Sequence, residues 1–234
     1  MSGLFVPGWG AVPGLYRRGL PVGWEALELP PYRTTGRELS GYHEWLAEQI
    51  ARREGQISLA GHSMGAALAI LVAADRPAAI ERLILLSPAG LPLRKPMTRS
   101  LFAFIGQVMR GCYPAGELSR AMGGVLRSPR TALAVARAVH DLDLSPQLER
   151  LSRASVPVTV VGSSSDQLTT PEHCRRLAAL LGASHHELDV PGGHIWMIVE
   201  PTLLSAALRK EGEPSQTIST GPRDSRGSTG GSIR

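Results

Sequence analysis

A strand-like run that leads through a Gly-x-Ser-x-Gly motif into a helix-like run constrains the fold of this chain more than any other feature. The apolar run 57–60 predicts a strand, and the apolar run 64–74 predicts a helix. Between them stands Ser63, and its flanking Gly61 and Gly65 lack the side chains that would collide with a close-packed turn. The N-terminus of the following helix offers unpaired N–H groups near the serine. This context predicts a strained strand-to-helix turn that presents the serine as a nucleophile.

Strand-like and helix-like segments alternate along most of the chain. The predicted strands are 4–6, 24–29, 57–60, 82–86, 156–161 and 186–190, and the predicted helices are 38–53, 64–74, 171–181 and 196–208. Because parallel strands need crossover helices between them, this order predicts an α/β fold. It implies a mostly parallel sheet of about six strands with helices on both faces.

One segment interrupts this alternation, and another follows it. Residues 91–153 contain five prolines and apolar residues at helical spacing, which predicts three or four helices inserted as a cap. Residues 1–90 and 154–210 are predicted to form the α/β core beneath it. Residues 211–234 are rich in Gly, Ser and Thr and almost free of apolar residues, so a disordered tail is predicted.

The composition excludes several classes of protein. With 43% apolar residues, the chain has enough for a sizeable core and is not a disordered polyampholyte. Its longest apolar run is 66–74, about half the length of a bilayer span, so no stable membrane insertion is expected. The start lacks the features of a secretory signal, and the two cysteines provide no disulfide framework. A cytoplasmic protein is therefore expected.

A serine becomes a good nucleophile only with a base and an orienting acid, and the chain offers both after later strands. Asp166 follows the predicted strand 156–161, and His194 follows the predicted strand 186–190. The resulting order is serine, acid, histidine. Because the carboxyl ends of parallel strands lie at one edge of a sheet, the three side chains are expected to meet in the folded chain.

Other residues compete for these two roles. The competitors of the base are His185 and His186, which lie in or at the start of a predicted strand. The competitors of the acid are Asp141 and Asp143, at the end of the predicted cap. The histidines lack carboxylates at metal-ligand spacing, so no metal is expected, and no other cofactor is needed for serine chemistry.

These motifs together carry a resemblance to a known family. The segments that carry it are 7–10 (PGWG), 29–32 (LPPY), 61–65 (GHSMG), Asp166 and 193–194 (GH). On these residues the chain resembles the α/β-hydrolase superfamily over residues 4–210. It is most similar to the small capped serine esterase branch, near the pimeloyl-carrier-protein methyl esterases and the carboxylesterases. The resemblance implies that Ser63 is the nucleophile, His194 the general base and Asp166 the carboxylate that orients the base.

The resemblance also implies an oxyanion hole formed by the backbone N–H groups of Trp9 and Met64. The chain departs from the family pattern in three places. Pro7 stands where a histidine usually braces the oxyanion loop, and the first two family strands are missing ahead of the strand 4–6. The acid loop is Gly-x-x-x-Asp, whereas Gly-x-x-Asp is commoner. None of these departures removes a catalytic group.

The predicted cap is expected to contribute the walls of the substrate pocket. Together with one residue of the core, its apolar side chains at helical spacing provide the candidates for these walls. The candidates are Leu101, Phe104, Ile105, Val108 and Trp196.

Positive charge is also concentrated in the predicted cap. Residues 91–153 carry 10 basic and 4 acidic side chains, whereas residues 1–90 carry 8 of each. The excess is interpreted either as solvated helix faces or as a patch that binds a coenzyme A phosphate, an acidic acyl carrier protein or a lipid headgroup. The patch would consist of Arg110, Arg120, Arg127, Arg130 and Arg137. Nucleic acid is not expected, because these arginines have no interleaved aromatics and match no recognised motif.

The expected function is hydrolysis of a carboxylic ester with a small or medium acyl group, through an acyl-enzyme intermediate. One alternative is a thioesterase or a carrier-protein methyl esterase, which would use the same triad on a carrier-bound substrate. A second alternative is a non-catalytic, ligand-sensing homologue that retains the triad. Carbon–carbon bond hydrolases and peroxidases of the superfamily are further alternatives.

Overall fold

The computed structural model of the protein describes residues 3–111, 113 and 116–209, except for the side chain of Arg110. Its strands are β1 Gly3–Val6, β2 Trp24–Ala26, β3 Ile57–His62, β4 Ile80–Leu86, β5 Val158–Ser163 and β6 Ser184–Leu188. They form one sheet in the order β2-β1-β3-β4-β5-β6, and every neighbouring pair is parallel. The predicted α/β fold with about six strands is confirmed.

Helices cover both faces of this sheet. They are α1 Tyr32–Thr35, α2 Ser40–Ala51, α3 Met64–Asp75, α4 Met97–Arg110, α5 Glu117–Arg127, α6 Pro129–His140, α7 Ser145–Ser152, α8 Pro171–Leu181, α9 Trp196–Val199 and α10 Pro201–Leu208. Buried side chains of α2, α3, α7 and α8 form the hydrophobic core on one face, and those of α9 and α10 form the core on the other. Adjacent residues of β3 illustrate the division, because Leu59 joins the first core and Ala60 joins the second.

The segment predicted as a cap contains four helices between β4 and β5. The last of them, α7, packs on α3 and α8, and its Leu148 and Leu151 are fully buried in the first core. Helices α4, α5 and α6 retain larger exposed surfaces. We call these three the cap helices.

Some element boundaries differ from the predictions. The predicted helix 196–208 is two helices, because Pro201 has no N–H to donate and its ring clashes with the carbonyl one turn earlier. The last strand begins at Ser184, two residues before its predicted start, since its pairing with β5 begins at Thr159. The predicted disordered tail, 211–234, lies outside the described residues.

No helix within the described residues combines the length and apolar character needed to cross a bilayer. The longest, α4, has 14 residues, which is short of the roughly 20 that a span requires.

Candidate active site

Ser63 occupies a strained turn between β3 and α3. Its backbone angles, φ 54° and ψ −115°, lie in a region that non-glycine residues rarely adopt. A β-carbon at Gly61 would collide with the carbonyl oxygen of Gly65. A β-carbon at Gly65 would in turn collide with the carbonyl oxygens of Val6 and Pro7. Close packing therefore requires both glycines of the motif, Gly61 within the turn and Gly65 against the end of β1.

The three predicted catalytic side chains form a continuous series of hydrogen bonds. His194 Nε2 lies 2.9 Å from Ser63 Oγ, and His194 Nδ1 lies 2.9 Å from Asp166 Oδ2. His194 and Asp166 are only 1% and 3% exposed, so bulk water does not compete for the bond between them. A carboxylate can only accept, so Nδ1 carries the proton and Nε2 is free to accept the serine hydroxyl. This is the arrangement required for a serine activated by a histidine base.

The residues that competed for these roles lie elsewhere. His185 and His186 belong to β6, and Asp141 and Asp143 lie between α6 and α7. Within the described part of the chain, none of the four hydrogen-bonds to the serine or to its histidine.

The orienting carboxylate is held by its own loop. Asp166 Oδ1 accepts the backbone N–H of Leu168 at 2.8 Å and that of Thr169 at 3.1 Å, and Oδ2 accepts the Thr169 hydroxyl at 2.9 Å. Burial raises the pKa of Asp166, but the adjacent His194 and these hydrogen bonds outweigh it and hold the pKa below its usual value. The carboxylate therefore stays ionised at neutral pH. Sequence reasoning missed Thr169, and its position three residues after the acid was the available signal.

His62, directly before Ser63, connects two loops of the site. Its Nε2 lies 2.9 Å from the carbonyl oxygen of His194, which can only accept, so Nε2 donates and Nδ1 accepts the Tyr16 hydroxyl at 2.8 Å. The Tyr16 oxygen also accepts the N–H of Gly8 at 3.4 Å. Burial, together with the nearby His194, lowers the pKa of His62 to about 3, so the ring is neutral. Its contacts make it a packing partner of the turn and not a base.

The predicted oxyanion loop is braced by two tyrosines. Tyr16 binds the amide of Gly8, as described above, and the Tyr32 hydroxyl accepts the amide of Gly10 at 2.8 Å. The indole Nε1 of Trp9 donates to the carbonyl of Ala132 on α6 at 2.8 Å. These contacts provide bracing in a loop where Pro7 replaces the usual histidine.

The two predicted oxyanion donors are available for a ligand. No hydrogen bond within the described residues engages the backbone amide of Trp9 or of Met64. Met64 is the first residue of α3, so its N–H lies at the positive end of the helix dipole. Trp9 and Ser63 both contribute to the wall of one cavity.

This cavity is small and mostly apolar. Its volume is about 70 Å³, and Ser63 and His194 form part of its wall. The remaining wall comes from core loops and from the inner sides of α4 and α6, including Leu101, Phe104, Ala136 and Val139. Pockets for drug-sized ligands are several times larger.

Two of the five predicted pocket residues, Leu101 and Phe104, line the cavity. The other three do not line it. Ile105 is 46% exposed because it follows Phe104 by one residue and therefore lies about 100° further round the helix. Val108 is partly buried outside the cavity wall. Trp196 is fully buried in the second core, beneath the loop that carries His194.

A buried glutamine joins a cap helix to the loop that carries His194. Gln107 on α4 accepts the backbone N–H of His194 through Oε1 at 2.8 Å. Its side chain also lies so close to Gly193 that a β-carbon there would clash with it. Sequence reasoning missed this residue, although it follows Phe104 by three positions and so lies on the same side of the helix.

The predicted arginine patch lies apart from the triad cavity. Arg120, Arg127, Arg130 and Arg137 are exposed on α5 and α6, and the side chain of Arg110 lies outside the described residues. Arg120 and Arg127 border a larger groove of about 700 Å³ that contains none of the triad. Among the described residues, no group of three or more His, Cys, Asp or Glu side chains is placed to hold a metal ion.

The chain is similar in sequence to known proteins. The family model for the alpha/beta hydrolase family matches residues 4–207. An uncharacterized protein of Mycobacterium tuberculosis (strain H37Rv) is 30% identical over 152 residues, which cover 64% of this chain and 42% of that protein. A putative non-heme haloperoxidase of Mycobacterium phage D29 is 28% identical over 166 residues, which cover 62% of this chain and 59% of the phage protein.

Solved structures show the same fold at low sequence identity. The esterase EaEST from Exiguobacterium antarcticum superposes with a TM-score of 0.70 at 15% identity, covering 89% of this chain and 90% of the esterase. At this identity the likeness concerns the fold alone. The aligned region spans less than two thirds of the Mycobacterium tuberculosis protein and of the phage protein, so both are longer than the part that matches this chain.

Proposed function

The chain belongs to the alpha/beta hydrolase family, and we propose that it is a serine hydrolase that cleaves carboxylic esters through an acyl-enzyme intermediate. One observation carries the proposal: the serine, the histidine and the aspartate are joined by two hydrogen bonds of 2.9 Å at the end of a strained strand-to-helix turn. The same geometry accounts for both stages of the reaction.

In the acylation stage, Ser63 attacks the ester carbonyl carbon while its hydroxyl proton moves to His194 Nε2. Asp166 stabilises the imidazolium that forms and keeps its Nδ1 proton in place. The tetrahedral intermediate collapses when the same Nε2 proton passes to the departing alkoxide, and an alcohol leaves. The acyl group remains bound to Ser63 Oγ.

In the deacylation stage, water replaces the alcohol. His194 Nε2 removes a proton from the water as it attacks the acyl carbon. The second tetrahedral intermediate collapses when that proton passes to Ser63 Oγ, which releases the serine hydroxyl and the carboxylic acid. The amides of Trp9 and Met64 donate to the negative oxygen in both intermediates. Each donor of this kind typically lowers the barrier by about 3–4 kcal/mol.

The cavity limits the acyl group to a short chain. A volume of about 70 Å³ between Ser63 and the inner sides of α4 and α6 admits an acetyl or butyryl group more readily than an octanoyl group. The leaving alcohol lies outside this space. An acyl thioester would give the same acyl-enzyme, so the thioesterase alternative differs only in the group that departs.

Hydrolysis of p-nitrophenyl acetate, butyrate and octanoate tests the proposal, with S-acetyl and S-butyryl thioesters assayed in parallel. We expect multiple turnovers, faster on the two short esters, that Ser63→Ala abolishes. Ser119→Ala, at an exposed position on α5, is the matched control and retains the wild-type rate. A single turnover would support the sensing alternative instead, and faster cleavage of thioesters would support the thioesterase.

A further inference from the structure

Large apolar side chains are exposed mainly on the cap helices. Eight such side chains are exposed among the described residues, and six of them lie on α4, α5 and α6. Phe102 and Met109 are the most open of the six, at 75% and 76% exposure. The six are Phe102, Ile105, Met109, Met122, Leu126 and Leu133. A concentration of this kind marks a surface that contacts something other than water.

The exposed residues form faces that internal packing does not use. On α4, Phe102, Ile105 and Met109 are three and four residues apart and so share one side of the helix. Leu101 and Phe104, on another side of α4, line the triad cavity. A single helix therefore contacts the site with one side and presents large apolar groups on the adjoining side.

The cap helices carry almost entirely positive charge. Residues 97–140 contain six arginines and one acidic residue, Glu117. Glu117 is only 16% exposed and pairs with Arg120, and Arg137 lies 3.9 Å from Asp141, just beyond α6. No ion pair with a described acidic side chain engages Arg127 or Arg130.

Arginine and apolar groups also lie side by side on these helices. Leu133 follows Arg130 by three residues and precedes Arg137 by four, so all three share one side of α6. Arg127 follows Leu126 directly at the end of α5. The exposed surface thus alternates guanidinium groups with large apolar side chains.

We propose that the outer surface of the cap helices binds the surface of an anionic lipid bilayer. Helices of this composition lie in the membrane interface, with apolar side chains at the boundary between headgroups and acyl chains. Arginine guanidinium groups then pair with lipid phosphates. A second copy of the chain fits less well, because it would place arginines against arginines. An acidic protein would pair with the arginines but leave the protruding apolar side chains without a matching environment.

Co-sedimentation with lipid vesicles tests this surface independently of catalysis, because the full chain carrying Ser63→Ala is used throughout. We expect binding to vesicles of phosphatidylcholine mixed with phosphatidylglycerol, and little binding to phosphatidylcholine alone. Raising the salt concentration should weaken the binding. Arg127→Ala and Arg130→Ala should each lower the partition coefficient about fivefold. Arg17→Ala with Arg18→Ala, which are exposed near α10, is the charge control and should have a smaller effect.

The apolar contribution has its own variants. Phe102→Gln, Ile105→Gln and Met109→Gln together should lower the partition coefficient about tenfold or more. The reason is that three apolar side chains no longer insert into the membrane interface. Leu180→Gln on α8, which changes an exposed apolar residue outside the cap helices, should leave it unchanged. Circular dichroism establishes that each variant is folded.

Several results would overturn the proposal. These are no binding to either vesicle, equal binding to neutral and anionic vesicles, and binding that the triple glutamine variant leaves intact. A wild-type dimer that this variant converts to a monomer would show that the surface binds a second copy instead. Saturable binding to an acidic acyl carrier protein, without binding to vesicles, would assign the surface to that class of protein.

Discussion

At the scale of single residues, the site depends on polar atoms that can act only as hydrogen-bond acceptors and so fix the roles of their partners. The carbonyl of His194 can only accept, which fixes the tautomer of His62, and the carboxylate of Asp166 fixes that of His194. Ser63 is held at positive φ between two glycines, at which an added β-carbon would clash with the backbone. The sequence motif predicted this turn and the order of the triad. It did not predict Thr169, because a hydroxyl three residues from the acid has many structural uses.

Thr169→Val removes the hydroxyl that binds Asp166 Oδ2 but keeps the shape of the side chain. We expect kcat to fall about tenfold or more, since hydrogen bonds to charged groups contribute about 1.5–3 kcal/mol. Thr169→Ser keeps the hydroxyl and should retain most of the activity. Steady-state kinetics on p-nitrophenyl butyrate measures both variants. Equal loss in the two variants would mean that packing at this position matters and the hydroxyl does not.

His62→Gln tests the neutral state of the buried histidine. The folded pKa is about 3, below the ordinary value of 6.5, so the unfolded state binds the extra proton at pH values between the two. The stability that His62 contributes is therefore complete above pH 6.5 and is lost as the pH falls towards 3. Between about pH 6 and pH 4, the wild type should lose about 2–3 kcal/mol of unfolding free energy more than the glutamine variant. Urea unfolding at a series of pH values measures the difference, and parallel curves would contradict it.

At the scale of elements, helix α4 joins the cap helices to the catalytic loop. It carries Phe104 into the cavity and Gln107 onto the backbone of His194. Helical spacing predicted helices in this segment. It did not predict which apolar residues face inward, since Ile105 and Phe104 are neighbours and only packing against Trp9 selects the latter.

Gln107→Met leaves the backbone N–H of His194 buried without an acceptor. A lost partner of this kind costs about 1–3 kcal/mol, so we expect kcat to fall about tenfold. The substitution should change kcat more than KM, because it displaces the histidine and leaves the acyl pocket in place. Gln49→Met, half-buried on α2, is the matched control. An unchanged kcat in Gln107→Met would show that the histidine holds its position without α4.

Phe104→Ala enlarges the cavity beside Ser63. The ratio of kcat/KM for p-nitrophenyl octanoate to that for the acetate should rise about tenfold or more, because pocket volume decides which acyl chain fits. Phe102→Ala, on the outer side of the same helix, should leave the ratio unchanged. A ratio that both substitutions change equally would place the acyl group outside the cavity.

At the scale of the whole molecule, parallel topology brings distant segments to one edge of the sheet. The residues Ser63, Asp166 and His194 follow β3, β5 and β6, whose carboxyl ends lie together. Alternation of apolar runs was therefore enough to predict the sheet and the meeting of the triad. The bracing of the oxyanion loop by Tyr16 and Tyr32 depends on contacts between remote segments, and no local pattern in the sequence encodes it.

Covalent labelling of the nucleophile tests the central claim most directly. Diethyl p-nitrophenyl phosphate reacts with an activated serine, which displaces p-nitrophenol and keeps the diethyl phosphoryl group. Intact-protein mass spectrometry and peptide mapping should find one adduct per chain, located on Ser63, with one equivalent of p-nitrophenol released. Ser63→Ala should remain unlabelled, and His194→Ala should react far more slowly. Folded wild-type protein that stays unlabelled, or that is labelled equally when Ser63 is replaced, would contradict the account.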